Sequence, residues 1–351
     1  MRAAVFAGPG ELVLEEVPTP SAGPGEIVLR VGANTVCGTD GRILRGEKTA
    51  GIDKGVVLGH EIAGYVTEVG EGVDGFAEGD LVGVLPTVPC LKCYYCRHGQ
   101  EHLCIDSDIF GYSFDGGLAD YIKIPRAAME RGGVYKVEAD LEPVEVALAE
   151  PLGCVINGAS NYRPGLGDTV VIMGAGPIGL LHTQLNKHLG ASRIIVSDPN
   201  QKRCELALEL GATHAVNPLE VDLRDFVMGL TEGRGADVIV ICIGRPELLQ
   251  DTFKIARKGA HINAFAGFQK GVLAQVDPNL LHYGEFTVTG ASNAGRSHHA
   301  MALKLISEGA INVKKLHTHT FPLSKVRDGI EFACSGEGVK VAIVPDSEYK
   351  D

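Results

Sequence analysis

The pattern of apolar and polar positions changes character near the middle of the chain. Up to about residue 150, short β-branched runs (EIVLRV, GYVTEV, DLVGVL, DYIKI) alternate with glycine- and proline-rich turns, the pattern of an all-β module. From Asp168 onward, apolar runs TVVIM, RIIVSD, HAV, DVIVICIG, HINAFAG and FTVTG are separated by helical stretches. Continuous apolar strands alternating with amphipathic helices predict a parallel sheet covered on both faces, here of six strands. After TVVIM, Ile178, Leu181, Leu185 and Leu189 fall on one helical face, and Gly190 is placed to end that helix. No internal repeat or low-complexity tract interrupts the pattern, and the polar tail PDSEYKD reads as a frayed terminus.

Length and composition narrow the classes. A chain of 351 residues, 45% of them hydrophobic, suits two domains with real cores. The start, MRAAVFAGPGELVLEEV, reads as a strand and not as a signal peptide, and no apolar run is long enough to span a membrane. A net charge of −12 would repel a phosphate backbone, so nucleic acid is not expected as a partner. Nine cysteines, an odd number, fit a reducing, cytoplasmic setting better than a secreted one.

Four of those cysteines, Cys90, Cys93, Cys96 and Cys104, lie within fifteen residues. Thiolates at this spacing can turn back onto one ion and complete the tetrahedron of a structural zinc. Two disulfides would need an oxidising compartment of which the chain gives no sign.

Gly174-Ala175-Gly176-Pro177-Ile178-Gly179 directly follows the strand TVVIM and opens a helix. In that context the glycines permit a tight turn and close approach of a pyrophosphate, held by the helix N-terminus, with Gly174, Gly176, Pro177, Ile178 and Gly179 as the binding loop. Asp198 ends the next strand nineteen residues after Gly179, where a carboxylate accepts hydrogen bonds from a ribose and repels a 2′-phosphate. That favours NAD over NADP, with Arg203 and Lys202 close enough to soften the preference. Cys37, His60, Glu61 and Glu150 are the right residue types for a catalytic zinc with an open position.

Cys37-Gly38-Thr39-Asp40, GHEIAGYVTEVGEGV from Gly59, EGDLV from Glu78, the four-cysteine lobe and GAGPIG follow one another in the order found in zinc-dependent medium-chain dehydrogenases. The chain resembles that family over nearly its whole length. Glu150-Pro151-Leu152 is most similar to the branch containing sorbitol (polyol) and threonine dehydrogenases. The resemblance implies an α/β protein with a GroES-like β-rich catalytic domain (1–154 and 291–351, with a zinc lobe at about 88–106) and a Rossmann doubly wound parallel sheet (155–290). It further implies a homo-oligomer, tetramer or dimer, with NAD and two zinc ions per chain, one catalytic and one structural. Cys37 and His60 match the catalytic zinc ligands, Glu61 and Glu150 the carboxylates that coordinate directly or through water, and Thr39 the hydroxyl beside the substrate.

Two positions depart from the family pattern. Cys154 falls where classical alcohol dehydrogenases place a third ligand, although Glu-Pro-Leu points to Glu150, and Arg42 stands where many relatives carry a proton-relay histidine. The implied activity is transfer of a hydride from a secondary alcohol to NAD, giving a ketone, with a polyol, cyclitol or sugar derivative as substrate. Oxidation of an amino alcohol such as L-threonine is the alternative. A non-catalytic, zinc-stabilised dinucleotide-binding protein would differ in holding one zinc per chain instead of two. Phe110, Tyr112, Tyr121, Ser292 and Asn293 are pocket candidates by resemblance, whereas His298-His299 read as a solvated helix face and His317 with His319 as one face of a strand.

Overall fold

A computed structural model describes residues 1–350. The chain divides into two compact units: Met1–Gly153 with Asn293–Gly309 and Val313–Asp351, and Cys154–Ser292 with Ala310–Asn312.

The first unit is built on a sheet in the strand order His317–Pro322, Lys340–Val344, Ile27–Thr35, Glu61–Val69, Leu81–Val84 and Val134–Lys136, with Tyr121–Ile124 also paired to Ile27–Thr35. Ile27–Thr35 is buried on both faces, which is why its apolar run is nearly continuous instead of alternating. Ile27, Leu29, Val31, Ile62, Val66, Val82 and Ile122 form one core cluster, and a second gathers Phe6, Val36, Ile43, Leu58, Leu118 and Ile343. The register of these strands sets Thr35 opposite Glu61 on one side and opposite Ala342 on the other.

The second unit contains the six-stranded parallel sheet expected from the sequence, in the order His214–Val216, Arg193–Ser197, Thr169–Met173, Ala236–Ile241, Ala256–Ala264 and Thr287–Gly290. The order runs outward in both directions from Thr169–Met173, so the switch point lies at the carboxyl end of that first strand. Its core is aliphatic, with Val171, Ile195, Ile239, Ile241 and Ile262 fully buried. The helix after the glycine loop spans Pro177–His188 and stops at Gly190, whose φ of 96° suits a residue without a Cβ. Leu181 and Leu185 are buried as the periodicity predicts, but Leu189 caps the end of the helix and is 40% exposed, while Leu180 is buried.

Two expectations are corrected. The C-terminal tail is pinned, with Asp346 in an ion pair to Arg2 at 3.2 Å and Glu348 paired to Arg30; Asp351 lies outside the described residues. His299 is buried in the helix Arg296–Ser307, its ring 5.1 Å from that of Tyr135 and neither ring nitrogen hydrogen-bonded. Burial alone drives its pKa down to about 3, so it is held neutral.

Candidate active site

Thr35 ends its strand, Val36 donates its N–H to the carbonyl of Val341 at 2.8 Å, and Cys37 comes next at the start of a short helix, Gly38–Leu44. Asp40, one turn into that helix, accepts the Cys37 N–H at 2.9 Å. The same Asp40 carboxylate lies 3.4 Å from His60 Nδ1, with both side chains buried. Asp40 thus fixes the ligand-bearing turn and faces the imidazole.

His60 and Glu61 arrive on the neighbouring strand. Gly59 before them has φ 96°, and a Cβ there would lie 2.6 Å from Asn34 Oδ1 and 2.8 Å from Leu118 Cγ, so only glycine lets the chain enter at this angle. Cys37, His60 and Glu61 each offer a ligand atom, and those atoms lie within 4.8 Å of one another. Glu150 does not join that cluster, although its charge is felt at Tyr112 and Lys340. Thr39 is half-buried on the same short helix as Asp40.

The Glu61 carboxylate is engaged. Lys340 Nζ lies 2.7 Å from its Oε1 and 2.6 Å from its Oε2, and the Thr35 hydroxyl donates to Oε2. Burial works against a charged Lys340, yet the Glu61 carboxylate raises its pKa above the ordinary lysine value. Neither Asp40 nor Lys340 was singled out from the sequence. Asp40 could have been, since it sits three residues after Cys37 in a capping position, whereas Lys340 is 279 residues from Glu61 and carries no local signal.

His60 Nδ1 and Asp40 Oδ1 are buried without hydrogen-bond partners. Burial opposes a charged imidazole, but the Asp40 charge and the Cys37 thiol hold the His60 pKa well above its usual value. A half-buried thiol with a buried imidazole and a buried carboxylate, their ligand atoms close together, form a donor set suited to zinc, which would take the place of that proton.

The spacing of the lobe thiols also suits a zinc ion. None of the nine cysteines is in a disulfide. In the lobe, Sγ–Sγ separations are 4.0 Å for Cys90–Cys96, 3.5 Å for Cys93–Cys96 and 3.9 Å for Cys93–Cys104. Tetrahedral zinc with bonds of about 2.3 Å requires about 3.8 Å between sulfurs. Without metal the thiols differ: backbone donors led by Cys96 bring Cys93 to about 6, while burial pushes Cys96 up to about 12. The lobe is tied to its own unit by Glu101, whose carboxylate accepts from the Arg296 backbone at 2.6 Å and from its guanidinium at 2.9 Å.

In the second unit, the glycine loop takes the form a dinucleotide needs. Gly174 has φ 106°, and a Cβ on Gly179 would lie 1.8 Å from the Gly174 carbonyl oxygen. Gly176 faces open space, with nothing within 4 Å of where its Cβ would be. Pro177 starts the helix, where its missing N–H costs nothing, and Ile178 beside it is half-buried. Asp198 accepts from Ala175 N at 2.7 Å and from Asn200 N at 2.8 Å, so it also holds the loop, with lone pairs to spare for ribose hydroxyls. Arg203 lies half-buried in the first turn of the next helix, five residues beyond Asp198.

Of the pocket candidates, Tyr112 stands beside the cluster with its ring 5.8 Å from that of His60. Phe110 is instead fully buried in the core against Phe114. Tyr121 pairs opposite Arg30 in its sheet. The Ser292 carbonyl accepts from Asn157, and Asn293, at φ 57°, donates to the His102 carbonyl at 3.4 Å. His317 and His319 lie in the strand His317–Pro322.

Residues 23–137 match the alcohol dehydrogenase GroES-like domain and residues 177–308 the zinc-binding dehydrogenase domain. The chain is 34% identical to an L-threonine 3-dehydrogenase of Pyrococcus abyssi over 94% of both chains. It is 32% identical to a sorbitol dehydrogenase of Halalkalibacterium halodurans over 96% of this chain and 97% of that one. A zinc-binding dehydrogenase of Sinorhizobium meliloti, solved with NADP bound, superposes with a TM-score of 0.91 at 30% identity, covering 98% of this chain and 99% of that one. No helix among the described residues is long and apolar enough to cross a membrane. Fold, motif order and overall similarity agree, and the chain belongs to the zinc-containing medium-chain alcohol dehydrogenases, a family of oxidoreductases.

Proposed function

We propose that this enzyme oxidises the secondary hydroxyl of a small polyhydroxylated molecule, a polyol, cyclitol or sugar derivative, to a ketone, with NAD as hydride acceptor. The observation that carries the reading is the meeting of ligand atoms of half-buried Cys37 and of buried His60 and Glu61 within 4.8 Å of one another. Zinc held there would supply Lewis acidity to a substrate hydroxyl, and the nicotinamide would supply the hydride acceptor. Cys37 and His60 are proposed as ligands, with Glu61 or Glu150 completing the site. Asp40 orients His60, and Lys340 offsets the charge of Glu61. Thr39 offers a hydroxyl that can take the substrate proton and pass it on. Arg42 is not proposed as a proton relay, because a guanidinium offers N–H donors and no acceptor.

Gly174, Gly176, Pro177, Ile178 and Gly179 are proposed to cradle the pyrophosphate. Asp198, an anion at the ribose position, supports NAD over NADP. The four lobe thiols are proposed to hold a second, structural zinc. The strand Thr287–Gly290 is paired on one side only, with Val288 42% exposed and Tyr283 69% exposed nearby, which supports a homo-oligomer.

A second reading, oxidation of L-threonine, is favoured by the run of threonine 3-dehydrogenases among similar proteins. A panel of polyols, cyclitols and L-threonine with NAD and with NADP, read by the absorbance of the reduced nicotinamide, decides between them. Cys37→Ala and His60→Ala should abolish turnover while the fold survives; wild-type rates in either would overturn the assignment.

A further inference from the structure

Residues 41–50 are locally basic in an acidic chain: Arg42, Arg45 and Lys48 stand against the single carboxylate of Glu47. Glu47 is taken by Arg45, at 2.7 and 3.2 Å, and approached by Arg42 at 4.0 Å. Lys48 is left over. Its backbone N–H closes the turn onto the Arg42 carbonyl at 3.2 Å, and its ammonium lies 4.8 Å from the centroid of the Tyr112 ring. Among the described residues it has no carboxylate partner and no hydrogen-bond acceptor. An aromatic face attracts a cation but accepts none of the three N–H bonds an ammonium offers.

Its position is next to the chemistry. Tyr112 lies edge-on to His60 at 5.8 Å, so the two separations laid end to end put the ammonium within about 11 Å of the imidazole ring. Of the acids around the cluster, Asp40 accepts the Cys37 N–H and faces His60 at 3.4 Å, and Glu61 is paired with Lys340 and Thr35. Lys48 is half-buried, and burial, with Arg42 adding to it, holds its pKa below the ordinary lysine value. An uncompensated, partly desolvated cation with free donors beside an active site is a place for an anion.

We propose that Lys48 binds an oxyanion group of the substrate, a carboxylate or a phosphate, so that this enzyme acts on acidic alcohols such as sugar acids or sugar phosphates in preference to neutral polyols. Arg42 reinforces the positive potential without being a required contact. The inference rests on the dehydrogenase reading for the position of the reacting hydroxyl.

The test uses the zinc-loaded enzyme with saturating NAD and pairs of compounds differing by one anion: D-gluconate with sorbitol, sorbitol 6-phosphate with sorbitol, and L-threonine with L-threoninol. In the pairs that are oxidised, the charged member should show at least about tenfold higher kcat/KM, as expected for a charge-assisted hydrogen bond. Which pair responds separates carboxylate from phosphate. Lys48→Gln should bring that ratio to within about twofold through KM with kcat changed little, and Lys48→Arg should keep most of it. Equal or better use of the neutral members overturns the proposal, as does a preference that survives in Lys48→Gln, or a Lys48→Gln effect on the KM for NAD alone. If no compound turns over, the dehydrogenase reading fails first. Calorimetric binding of D-gluconate, sorbitol 6-phosphate and sorbitol to wild type and Lys48→Gln then decides the anion site: a preference lost in the variant supports it, and equal binding of all three sinks it.

Discussion

Replacing Lys340 with methionine removes the positive half of an ion pair whose side chains are only 4% and 1% exposed. At 2.6 Å and an effective dielectric constant of about 20, the attraction between Lys340 and Glu61 is about 6 kcal/mol, part of which is offset by the cost of taking both groups out of water. Removing one partner leaves the Glu61 carboxylate buried with the Thr35 hydroxyl as its remaining side-chain donor, and such losses run to about 3–5 kcal/mol. Lys340→Met should therefore destabilise the metal-free protein by about 3–5 kcal/mol in urea unfolding. Because zinc would supply the missing positive charge to Glu61, the loss should shrink when zinc is bound. The double variant Lys340→Met with Glu61→Leu removes both charges and should recover most of the loss, since an apolar pair can replace a buried ion pair at little cost. A single-variant loss below about 1 kcal/mol, or a double variant as unstable as the sum of the singles, would refute the reasoning.

Gly179→Ala should open the glycine loop, lowering the melting temperature and abolishing NADH binding, because its methyl would lie 1.8 Å from the Gly174 oxygen. Gly176→Ala, with nothing within 4 Å, should melt like wild type yet still lose NADH binding, and retained binding in both would refute the cradle. Asp237 accepts from Thr169 N at 2.8 Å and pairs with Arg234 and Arg257; burial raises its pKa, but the hydrogen bond from Arg257 and the other partners bring it below the ordinary carboxylate value. Its contribution is present above about pH 4 and is lost as pH falls through the depressed folded value. Asp237→Asn should cost about 1–3 kcal/mol at pH 7 and flatten the acid limb of stability against pH, read by unfolding at stepped pH. Metal analysis of the intact enzyme should return two zinc ions per chain, and Cys93→Ser should lower that to one, with a lower melting temperature.

How much was legible in the sequence depends on the range of the interactions concerned. The helix after Gly179 and the six parallel strands were legible because periodicity is a local signal, carried by side chains a few residues apart. The glycine loop and the four lobe thiols were legible for the same reason: their geometry is set within one short stretch of backbone. Leu189 and His299 were misjudged because periodicity assigns a side chain to a face of its helix but does not say what packs against that face.

Local spacing thus determined by itself the two kinds of sheet, the glycine-rich loop and the four-cysteine lobe. Only the tertiary structure decided that Thr35, Glu61 and Lys340 meet, since their pairing rests on the register of three strands, one of them formed by residues 340–344 near the end of the chain. The same holds for Lys48, an ordinary surface lysine in the sequence, whose ammonium the fold sets 4.8 Å from the Tyr112 ring, itself 5.8 Å from that of His60. Register and long-range packing arise from the sum of many weak contacts across the whole core, and no short stretch of residues records that sum.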